Sequence, residues 1–185
     1  MPDVIIIGDG PGGLSAALFL AKNKLDVMVF GDDKSAMHYA YLRNYLGIPE
    51  LHGSEFQRIA RAQVAGFGAR LRDDRVQAVA ADGERFTVTL ESGERTSARY
   101  VILSEGKGPR LAKQLGLAFD DATGIATDRN AHTSIDRIYV VGRSARPGRS
   151  QAIISAGDGA AAAIDILSRE QGHDILDWDE PPATP

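Results

Sequence analysis

The residues with the clearest chemical meaning are the glycines near the start of the sequence. The segment from Gly8 to Gly13 reads GDGPGG and matches the pattern G-x-G-x-x-G. In this pattern Gly8 permits a tight turn, Gly10 lets a pyrophosphate approach the backbone, and Gly13 lets a helix pack closely on a strand. The free N–H groups and the positive dipole end of the following helix attract phosphates. The motif therefore predicts dinucleotide binding.

Two carboxylates follow the next apolar run of the sequence. Asp32 and Asp33 come directly after Val27–Phe30 and Gly31, where an acidic side chain accepts hydrogen bonds from a ribose. NAD and FAD both carry a ribose at this position, so the motif leaves the two cofactors open. One of the two aspartates is expected to reach the ribose, and the other is expected to be a solvated loop charge.

The composition excludes several classes of chemistry. The 185 residues include no cysteine, which excludes thiolate catalysis, Cys-x-x-Cys redox pairs and sulfur-ligated zinc, and no metal site is predicted. The 21 basic and 25 acidic residues give a formal charge of -4, which predicts neither nucleic acid nor a membrane as a partner. The length accommodates one large domain. The first apolar run, Val4–Ile7, is too short for a signal peptide or a membrane span, so a cytoplasmic location is expected.

The elements that would position these residues follow from hydrophobic periodicity. Val4–Ile7 and Val27–Phe30 are continuous apolar runs typical of strands in a parallel sheet, and apolar residues at helical spacing lie between them. Residues 31–53 have no regular period and predict a long loop with one helical turn at 36–41. A capping box of Ser54 and Gln57 predicts the start of a helix, with a core face of Phe56, Ala60, Val64 and Phe67.

The pattern changes to a period of two in the second half of the sequence. From Arg70 onwards, alternating apolar residues and a turn at Ser92-Gly93 predict an antiparallel meander whose returning strand ends at 100–103. A short helix after Pro109, a strand at 137–141 and a final helix at 151–169 complete the predicted elements. The predicted inward face of the final helix consists of Ile153, Ala156, Ala160, Ile164 and Leu167.

Besides the glycine motif, four segments are distinctive: Arg43–Gly47, Thr133-Ser134, Arg137–Gly142 and Ser150–Gly159. Taken in order, these segments resemble the FAD domain of thioredoxin reductases. In that family a nicotinamide domain with the Cys-x-x-Cys separates the two halves of the FAD domain, whereas here residues 101–109 run directly into the second half. The chain is therefore similar to the single-domain thioredoxin-reductase-like members of the pyridine nucleotide-disulfide oxidoreductase superfamily, which lack the NADPH domain.

The resemblance implies the fold class and the domain organisation. It implies an α/β, Rossmann-like FAD-binding fold with three layers in the order ββα, with a central parallel sheet and an antiparallel β-meander. A single domain would cover residues 1–172, with halves at about 1–108 and 109–172. Residues 173–185 would form a mobile tail.

The resemblance also implies that FAD is the cofactor and suggests where it lies. The pyrophosphate would lie on the glycine motif, the adenosine ribose near Gly31 or Asp32, and the adenine near Val76. The isoalloxazine would lie near Asn44 and the N-terminus of the last helix, whose positive end stabilises the negative charge of reduced flavin. The implied cofactor-binding residues are Gly8, Gly10, Pro11, Gly12, Gly13, Gly31, Asp32, Asn44, Val76, Ser104, Glu105, Gly106, Gly142, Arg143, Gln151, Ala152 and Ile153.

The sequence departs from the family pattern at two places that face the cofactor. Gly31 stands where the family has an acidic residue, and Arg143 stands where it has an aspartate for the ribityl hydroxyls. A guanidinium cannot accept those hydrogen bonds, but it can bind the pyrophosphate. With Arg146 and Arg149, Arg143 forms either a docking patch for an acidic redox protein or anionic substrate, or a solvated loop. His38 is a weak candidate for a catalytic acid or base, and an ordinary surface histidine is the alternative.

Three functions remain open at this point. The first is an FAD-dependent oxidoreductase that takes electrons from an external donor and passes them to a small molecule or a redox protein. The second is a non-catalytic FAD-binding subunit or redox sensor. The third is an NAD-dependent dehydrogenase, which the antiparallel meander and the lack of a Tyr-x-x-x-Lys pair disfavour. A homodimer is also expected, because a second chain would cover flavin that a missing domain leaves exposed.

Overall fold

The computed structural model describes residues 1–181. A parallel sheet lies between a layer of helices and an antiparallel meander. The strands are β1 (Val4–Ile7), β2 (Val27–Phe30), β3 (Tyr41–Leu42), β4 (Leu51–His52), β5 (Arg70–Arg72), β6 (Val76–Asp82), β7 (Arg85–Leu90), β8 (Arg95–Ala98), β9 (Tyr100–Leu103), β10 (Phe119–Asp120), β11 (Gly124–Ile125) and β12 (Ile138–Val140). The α-helices are α1 (Pro11–Lys22), α2 (Gly53–Gly66), α3 (Arg110–Gln114) and α4 (Ala152–Gln171), with 3₁₀ turns at Ala36–Tyr39 and Gly142–Ser144.

The central sheet has the strand order β12-β9-β1-β2-β5, and every neighbouring pair is parallel. All residues of β1, β2 and β9 are buried, which is why these strands are continuous apolar runs. Ile7 pairs with Phe30 on one side and with Leu103 on the other. The carboxyl ends of these three strands therefore meet at one edge, which is where ligands of open parallel sheets bind.

Two hydrophobic cores lie on opposite faces of this sheet. On one face, alternate strand residues such as Ile6 pack against α1, α2 and α4. On the other face, residues such as Ile5 pack against α3 and the antiparallel meander of β6, β7 and β8. This layering confirms the predicted α/β fold with a central parallel sheet and an antiparallel meander.

The helices α1 and α4 cross at very short range because small residues meet at the crossing. A Cβ atom added to Gly159 of α4 would lie 2.0 Å from the carbonyl oxygen of Gly12 in α1. In return, a Cβ on Gly12 would lie 3.1 Å from the carbonyl oxygen of Ser155. This contact keeps the N-terminal ends of the two helices side by side.

The predicted capping box at the start of α2 is wrong. The helix starts at Gly53, its N-cap is His52, and no side chain caps it. Gln57 instead turns inward, is fully buried, and donates a hydrogen bond to the backbone oxygen of Asp9. Of the predicted core face, Val64 is buried but Phe67, the residue that follows α2, remains 44% exposed.

The predicted returning strand at the end of the meander is really two strands in different sheets. β8 pairs with β7 in the meander, whereas β9 pairs with β1 in the central sheet. At Arg99 the chain passes between the sheets, where the amides of Arg99 and Tyr100 both donate to the carbonyl of Asp3. The complete burial of β9 reflects its place in the central sheet.

The predicted inward face of α4 is confirmed at Leu167, which is buried, and at Ile164, which packs against the core, but it is wrong at Ile153, which is 36% exposed. The crossing with α1 requires small residues, so Ser155 and Gly159 are the buried residues there, and large apolar residues are buried only further along the helix. The predicted loop at 31–53 does hold one helical turn, and it also contains the short pair β3 and β4. The buried residues of α4 are Ser155, Gly159, Ala162, Ala163, Ile166 and Leu167.

The C-terminal segment after α4 has no regular structure up to Pro181. Asp177 accepts hydrogen bonds from Lys22 and Asn23 at the end of α1. The predicted mobile tail at 173–185 extends beyond the described residues, because 182–185 lie outside them. Within residues 1–181, none of the helices combines the length and the apolar character that a membrane span requires.

Candidate functional site

A cleft of about 600 Å³ opens at the carboxyl edge of the central sheet. It lies between the turn after β1, the connection after β2 and the segment after β9. Thirteen of the residues that the sequence predicts for cofactor binding line it, and Gly13, Asn44, Gln151 and Ile153 do not. The thirteen are Gly8, Gly10, Pro11, Gly12, Gly31, Asp32, Val76, Ser104, Glu105, Gly106, Gly142, Arg143 and Ala152.

The glycine-rich turn has the geometry that its sequence requires. Gly8 adopts a φ of +104°, and a Cβ there would lie 2.1 Å from the carbonyl oxygen of Ser104. Gly13 is buried, and a Cβ on it would lie 2.0 Å from the carbonyl oxygen of Gly8. Gly10 is different, because the nearest heavy atom to an added Cβ is Cβ of Ser35 at 4.0 Å. Gly8 and Gly13 therefore close the turn, whereas Gly10 leaves open space in the cleft.

Two helices point their N-terminal ends at this cleft. Pro11 begins α1 directly after Gly10, and Ala152 begins α4; both residues line the cleft. Neither helix has a side-chain cap or an acidic residue in its first turn. The free N–H groups and the positive dipole ends therefore form an anion-binding site.

Asp32 lies at the other end of the cleft, beside Val76. Its carboxylate pairs with Arg75 at 3.1 Å and with Lys34 at 3.3 Å. Partial burial opposes ionisation, but the hydrogen bonds from Arg75 and Lys34 outweigh it and lower the pKa of Asp32. Asp33 turns away from the cleft and contacts His38 at 3.0 Å. Asp32 is thus the ionised acceptor available to a ribose.

The residues predicted near the isoalloxazine lie at the rim of the cleft. Asn44 donates a hydrogen bond of 3.0 Å to the side chain of Gln151, which links the long loop to the start of α4. Ile153 is on the exposed side of that helix. His38 does not line the cleft and its side chain contacts Asp33, so the structure does not bring it to the other predicted site residues.

Three functional candidates escaped the sequence interpretation: Asp9, Gln57 and Arg61. Asp9 is buried, and its carboxylate accepts hydrogen bonds from the guanidinium of Arg61 and the amide of Asp33. Burial raises the pKa of Asp9, although Arg61 and the amide act in the opposite direction. A charged residue inside a glycine motif was the available signal. This signal does not identify Arg61 of α2 as the partner of Asp9, because the two residues come together only in the folded chain.

Asp9 also explains one of the departures from the family pattern. A Cβ on Gly31 would lie 2.4 Å from the carboxyl carbon of Asp9. The Asp9 carboxyl group therefore occupies the space that a side chain at position 31 would need. Gly31 keeps the strand end compact, and Asp32 supplies the acidic side chain one position later.

A comparison with protein families assigns this arrangement. The family model described as pyridine nucleotide-disulphide oxidoreductase matches residues 2–45 and 41–160. The chain belongs to this family. Members of the family are FAD-binding flavoproteins, so the predicted cofactor and the resemblance to thioredoxin reductases are confirmed at the level of the family.

Known proteins similar to this member of the family are thioredoxin reductases. The enzyme of Streptomyces coelicolor is 38% identical over 125 residues, which are 65% of this chain and 38% of that protein. The bifunctional thioredoxin reductase/thioredoxin of Mycobacterium leprae is 30% identical over 171 residues, or 90% of this chain and 35% of that protein. The chain thus spans little more than a third of the length of these relatives.

Solved structures of thioredoxin reductases share the family fold. The atypical thioredoxin reductase TRi from Desulfovibrio vulgaris Hildenborough superposes with a TM-score of 0.83 at 18% identity, covering 96% of this chain and 100% of that chain. A thioredoxin reductase from Gloeobacter violaceus gives a TM-score of 0.84 at 17% identity, covering 97% and 98%. At these identities the likeness concerns the fold.

The cleft fits the FAD of the family. The space beside Gly10 and the uncapped ends of α1 and α4 suit a pyrophosphate. Lys107 and Arg143 also line the cleft, and cations at such a site balance phosphate charge. Arg146 differs from Arg143, since it pairs with Asp158 at 3.0 Å. The predicted cluster of three arginines is therefore partly neutralised.

Glu105 lies in the cleft lining, but its carboxylate is already engaged. One oxygen accepts the amide of Leu111 at 2.7 Å, and the other accepts the amide of Ala112 at 3.0 Å. Burial raises the pKa of Glu105, with the two amides acting in the opposite direction. The carboxylate of Glu105 thus accepts hydrogen bonds from the first turn of α3.

Replacing Glu105 with alanine is expected to destabilise the protein by about 1–2 kcal/mol, because two amides of α3 lose their acceptor. Urea unfolding would measure this change. Glu91→Ala is the matched control, since Glu91 also lines the cleft but its exposed side chain accepts no hydrogen bond from residues 1–181. The control is expected to stay within about 0.5 kcal/mol of the parent. Equal losses in both variants would contradict this role.

Proposed function

We propose that the chain binds FAD in this cleft and acts as an oxidoreductase that receives electrons from an external donor. The observation that carries the proposal is the cleft itself, in which the glycine-rich turn, two uncapped helix ends and Asp32 lie along one path. We propose the pyrophosphate beside Gly10 and the adenosine ribose at Asp32. The flavin would then lie toward Asn44 and the start of α4.

Bound FAD would supply the electron-accepting group, and the chain's own residues would bind and orient it. Residues 104–109 connect β9 directly to α3, without an inserted domain between the two halves of the fold. The sequence also contains no cysteine. Electrons would therefore leave the flavin for a separate small molecule or redox protein rather than for a dithiol of this chain.

Reconstitution with FAD tests the proposal. A yellow protein with a bound-flavin spectrum and one FAD per chain is expected, and a chain that refuses FAD would rule the proposal out. Anaerobic mixing with NADH or NADPH should then reduce the flavin slowly or not at all, since no nicotinamide domain is inserted between β9 and α3. Rapid turnover would contradict the external-donor part of the proposal and leave FAD binding intact.

A non-catalytic FAD-binding subunit is the second candidate. The observation that favours it is the position of His38, which contacts Asp33 and stays outside the cleft lining, so the predicted acid or base is not at the flavin end. The two candidates differ in one measurement. Electron transfer from a chemical reductant to dyes in the isolated flavoprotein supports the enzyme, whereas transfer only with a co-purifying partner supports the subunit.

Replacing Asp32 with asparagine is expected to weaken FAD binding about 5- to 10-fold, because the ribose loses an ionised acceptor. Quenching of flavin fluorescence during titration would measure the dissociation constant. Asp33→Asn is the matched control, because Asp33 lies outside the cleft and an asparagine tolerates its positive φ of 52°. A larger loss of FAD affinity for Asp33→Asn than for Asp32→Asn would show that the ribose binds at Asp33 and not at Asp32.

Self-association is a further proposal for this chain. An apolar groove of about 260 Å³ between α1 and α2 supports it, with Leu14, Leu18, Phe56 and Ile59 among its lining residues. A second copy of the chain would cover this groove. Sedimentation at increasing protein concentration would detect the dimer, and a monomer at all concentrations would contradict it.

A further inference from the structure

Arg61 of α2 joins segments that are far apart in the sequence. Its guanidinium contacts the carboxylate of Asp9 in the glycine-rich turn and that of Asp73, at 2.9 Å, in the connection after β5. The same Asp9 carboxylate accepts the amide of Asp33 at 3.1 Å, in the connection after β2. One arginine thus links the three segments that border the Asp32 end of the cleft.

The two charges at the centre of this network are well shielded from water. The side chain of Asp9 is 6% exposed and that of Arg61 is 20% exposed. Asp9 also lines the cleft between Gly8 and Gly10, and its carboxyl group lies against Gly31, beside the proposed ribose position. A buried carboxylate in that place needs a compensating cation, because an unpaired buried charge is strongly destabilising and repels a second anion.

Arg61 occupies the place where it can supply that cation. It approaches from α2, and the neighbouring Gln57 secures the same turn by donating to the backbone oxygen of Asp9. Asp73 lies two residues before Arg75 in the same connection and three residues before Val76. Arg75 pairs with Asp32 at 3.1 Å. A shift of the guanidinium would therefore displace both Asp32 at the proposed ribose position and Val76 at the proposed adenine position.

We propose that Arg61 is a positioning residue for the cofactor: it neutralises the buried Asp9 carboxylate and fixes the glycine-rich turn relative to the connections that carry Asp32 and Val76. This inference rests on the proposed placement of the adenosine half of FAD in the cleft. Arg61 does not line the cleft, and it acts through Asp9 and Asp73.

Removing the charge of Arg61 tests the compensation directly. Arg61→Met is expected to raise the dissociation constant for FAD at least about tenfold at neutral pH. Asp9→Asn in the same chain is expected to restore most of the affinity, because a neutral amide needs no cation. The dissociation constant of Arg61→Lys should lie between those of the parent and Arg61→Met. A lysine keeps the charge, but its ammonium does not bridge two carboxylates as a guanidinium does. An unchanged constant in Arg61→Met, or no recovery in the double variant, would overturn the proposal.

The pH dependence gives a second signature that loss of packing would not produce. In Arg61→Met the pKa of Asp9 should rise further, so mildly acidic pH protonates it and FAD binding strengthens as the pH falls. The double variant with Asp9→Asn should lack this slope. The other charged groups that face Asp9 are Asp33, with its partner His38, and Asp73 beyond Arg61. They are present in both variants, so the difference isolates Asp9.

Hydrogen exchange of the cofactor-free protein separates this inference from the proposed function. The Asp33 amide, which donates to Asp9, should exchange at least about tenfold faster in Arg61→Met. The Ala122 amide, which donates to Asp120 at 2.9 Å in another turn, should not change. Were the parent chain unable to bind FAD, the proposed function would fail, and this measurement would still decide the role of Arg61. Unchanged exchange at Asp33 would count against it. If Arg61→Met does not fold, Arg61→Lys carries the same comparison.

Discussion

Replacing Gly159 with alanine is expected to destabilise the protein by about 2–3 kcal/mol, although alanine is the better helix former. The reason is the crossing of α1 and α4, where the added Cβ would lie 2.0 Å from the carbonyl oxygen of Gly12 and 3.0 Å from the amide nitrogen of Ala16. Both contacts are with backbone atoms, so the two helices must move apart. Urea unfolding would measure the loss.

Gly157 provides the matched control within the same helix. It lies two residues earlier in α4, and a Cβ there meets no atom within 4 Å. Gly157→Ala should therefore stabilise the protein by up to about 1 kcal/mol, because the helix loses a flexible residue. The opposite signs of the two changes are the essential result. Stabilisation by Gly159→Ala would mean that the helices are not in contact at this position.

The same substitution is expected to weaken FAD binding. Gly12 lies in the first turn of α1, and Ser155 lies in the first turn of α4, so separation of the helices moves the two helix N-termini apart. An affinity measured on folded Gly159→Ala protein should fall more than that of Gly157→Ala. Equal affinities would show that the two helix ends bind independently.

Replacing Gly10 with leucine is expected to abolish FAD binding while the chain stays folded. Gly10 has an ordinary φ of -73°, and an added Cβ is 4.0 Å from its nearest neighbour, Ser35. The leucine side chain would fill the space in which the backbone must approach a pyrophosphate. We expect the dissociation constant to rise at least about 100-fold, with a stability change of at most about 1 kcal/mol at this N-cap position.

Gly66→Leu is the control for Gly10→Leu. Gly66 ends α2, lies outside the cleft lining, and has no atom within 4 Å of an added Cβ. It introduces the same apolar side chain at an open position, so FAD affinity should remain within about twofold of the parent. Fluorescence titration and urea unfolding of both variants check the result. Unchanged FAD affinity in Gly10→Leu would contradict the proposed placement of the pyrophosphate at the glycine-rich turn.

Some of the glycine contacts could be predicted from the sequence and others could not. The glycine pattern predicts the turn at Gly8 and Gly13, and the structure has both glycines in tight contact with backbone atoms. It does not predict the contact of Gly159 with Gly12, because a helix of small residues gives no indication of its partner. The prediction that Ile153 faces inward was wrong for the same reason.

The polar and charged side chains of the site were also only partly predictable from the sequence. The sequence placed the ribose acceptor at Asp32 or Asp33, just after a strand, and only the structure separates the two, since Asp32 lines the cleft and Asp33 does not. Glu105 was predicted to border the cofactor, yet its carboxylate holds α3. Gln57 was predicted to cap its own helix, and it instead reaches the turn at Asp9. Local patterns describe neighbours in the chain, whereas these side chains bond to partners that come close only after folding.

The sequence by itself determined the strand, turn and helix at the N-terminus, the meander and the absence of thiol chemistry. These features depend on residue type and on spacings of a few residues, which chain geometry converts directly into structure. The tertiary structure alone decided that β9 joins the central sheet, that α1 and α4 meet at glycines, and that Arg61 balances Asp9 across the fold. Burial and charge pairing are properties of the packed chain, because they depend on which distant residues exclude water together.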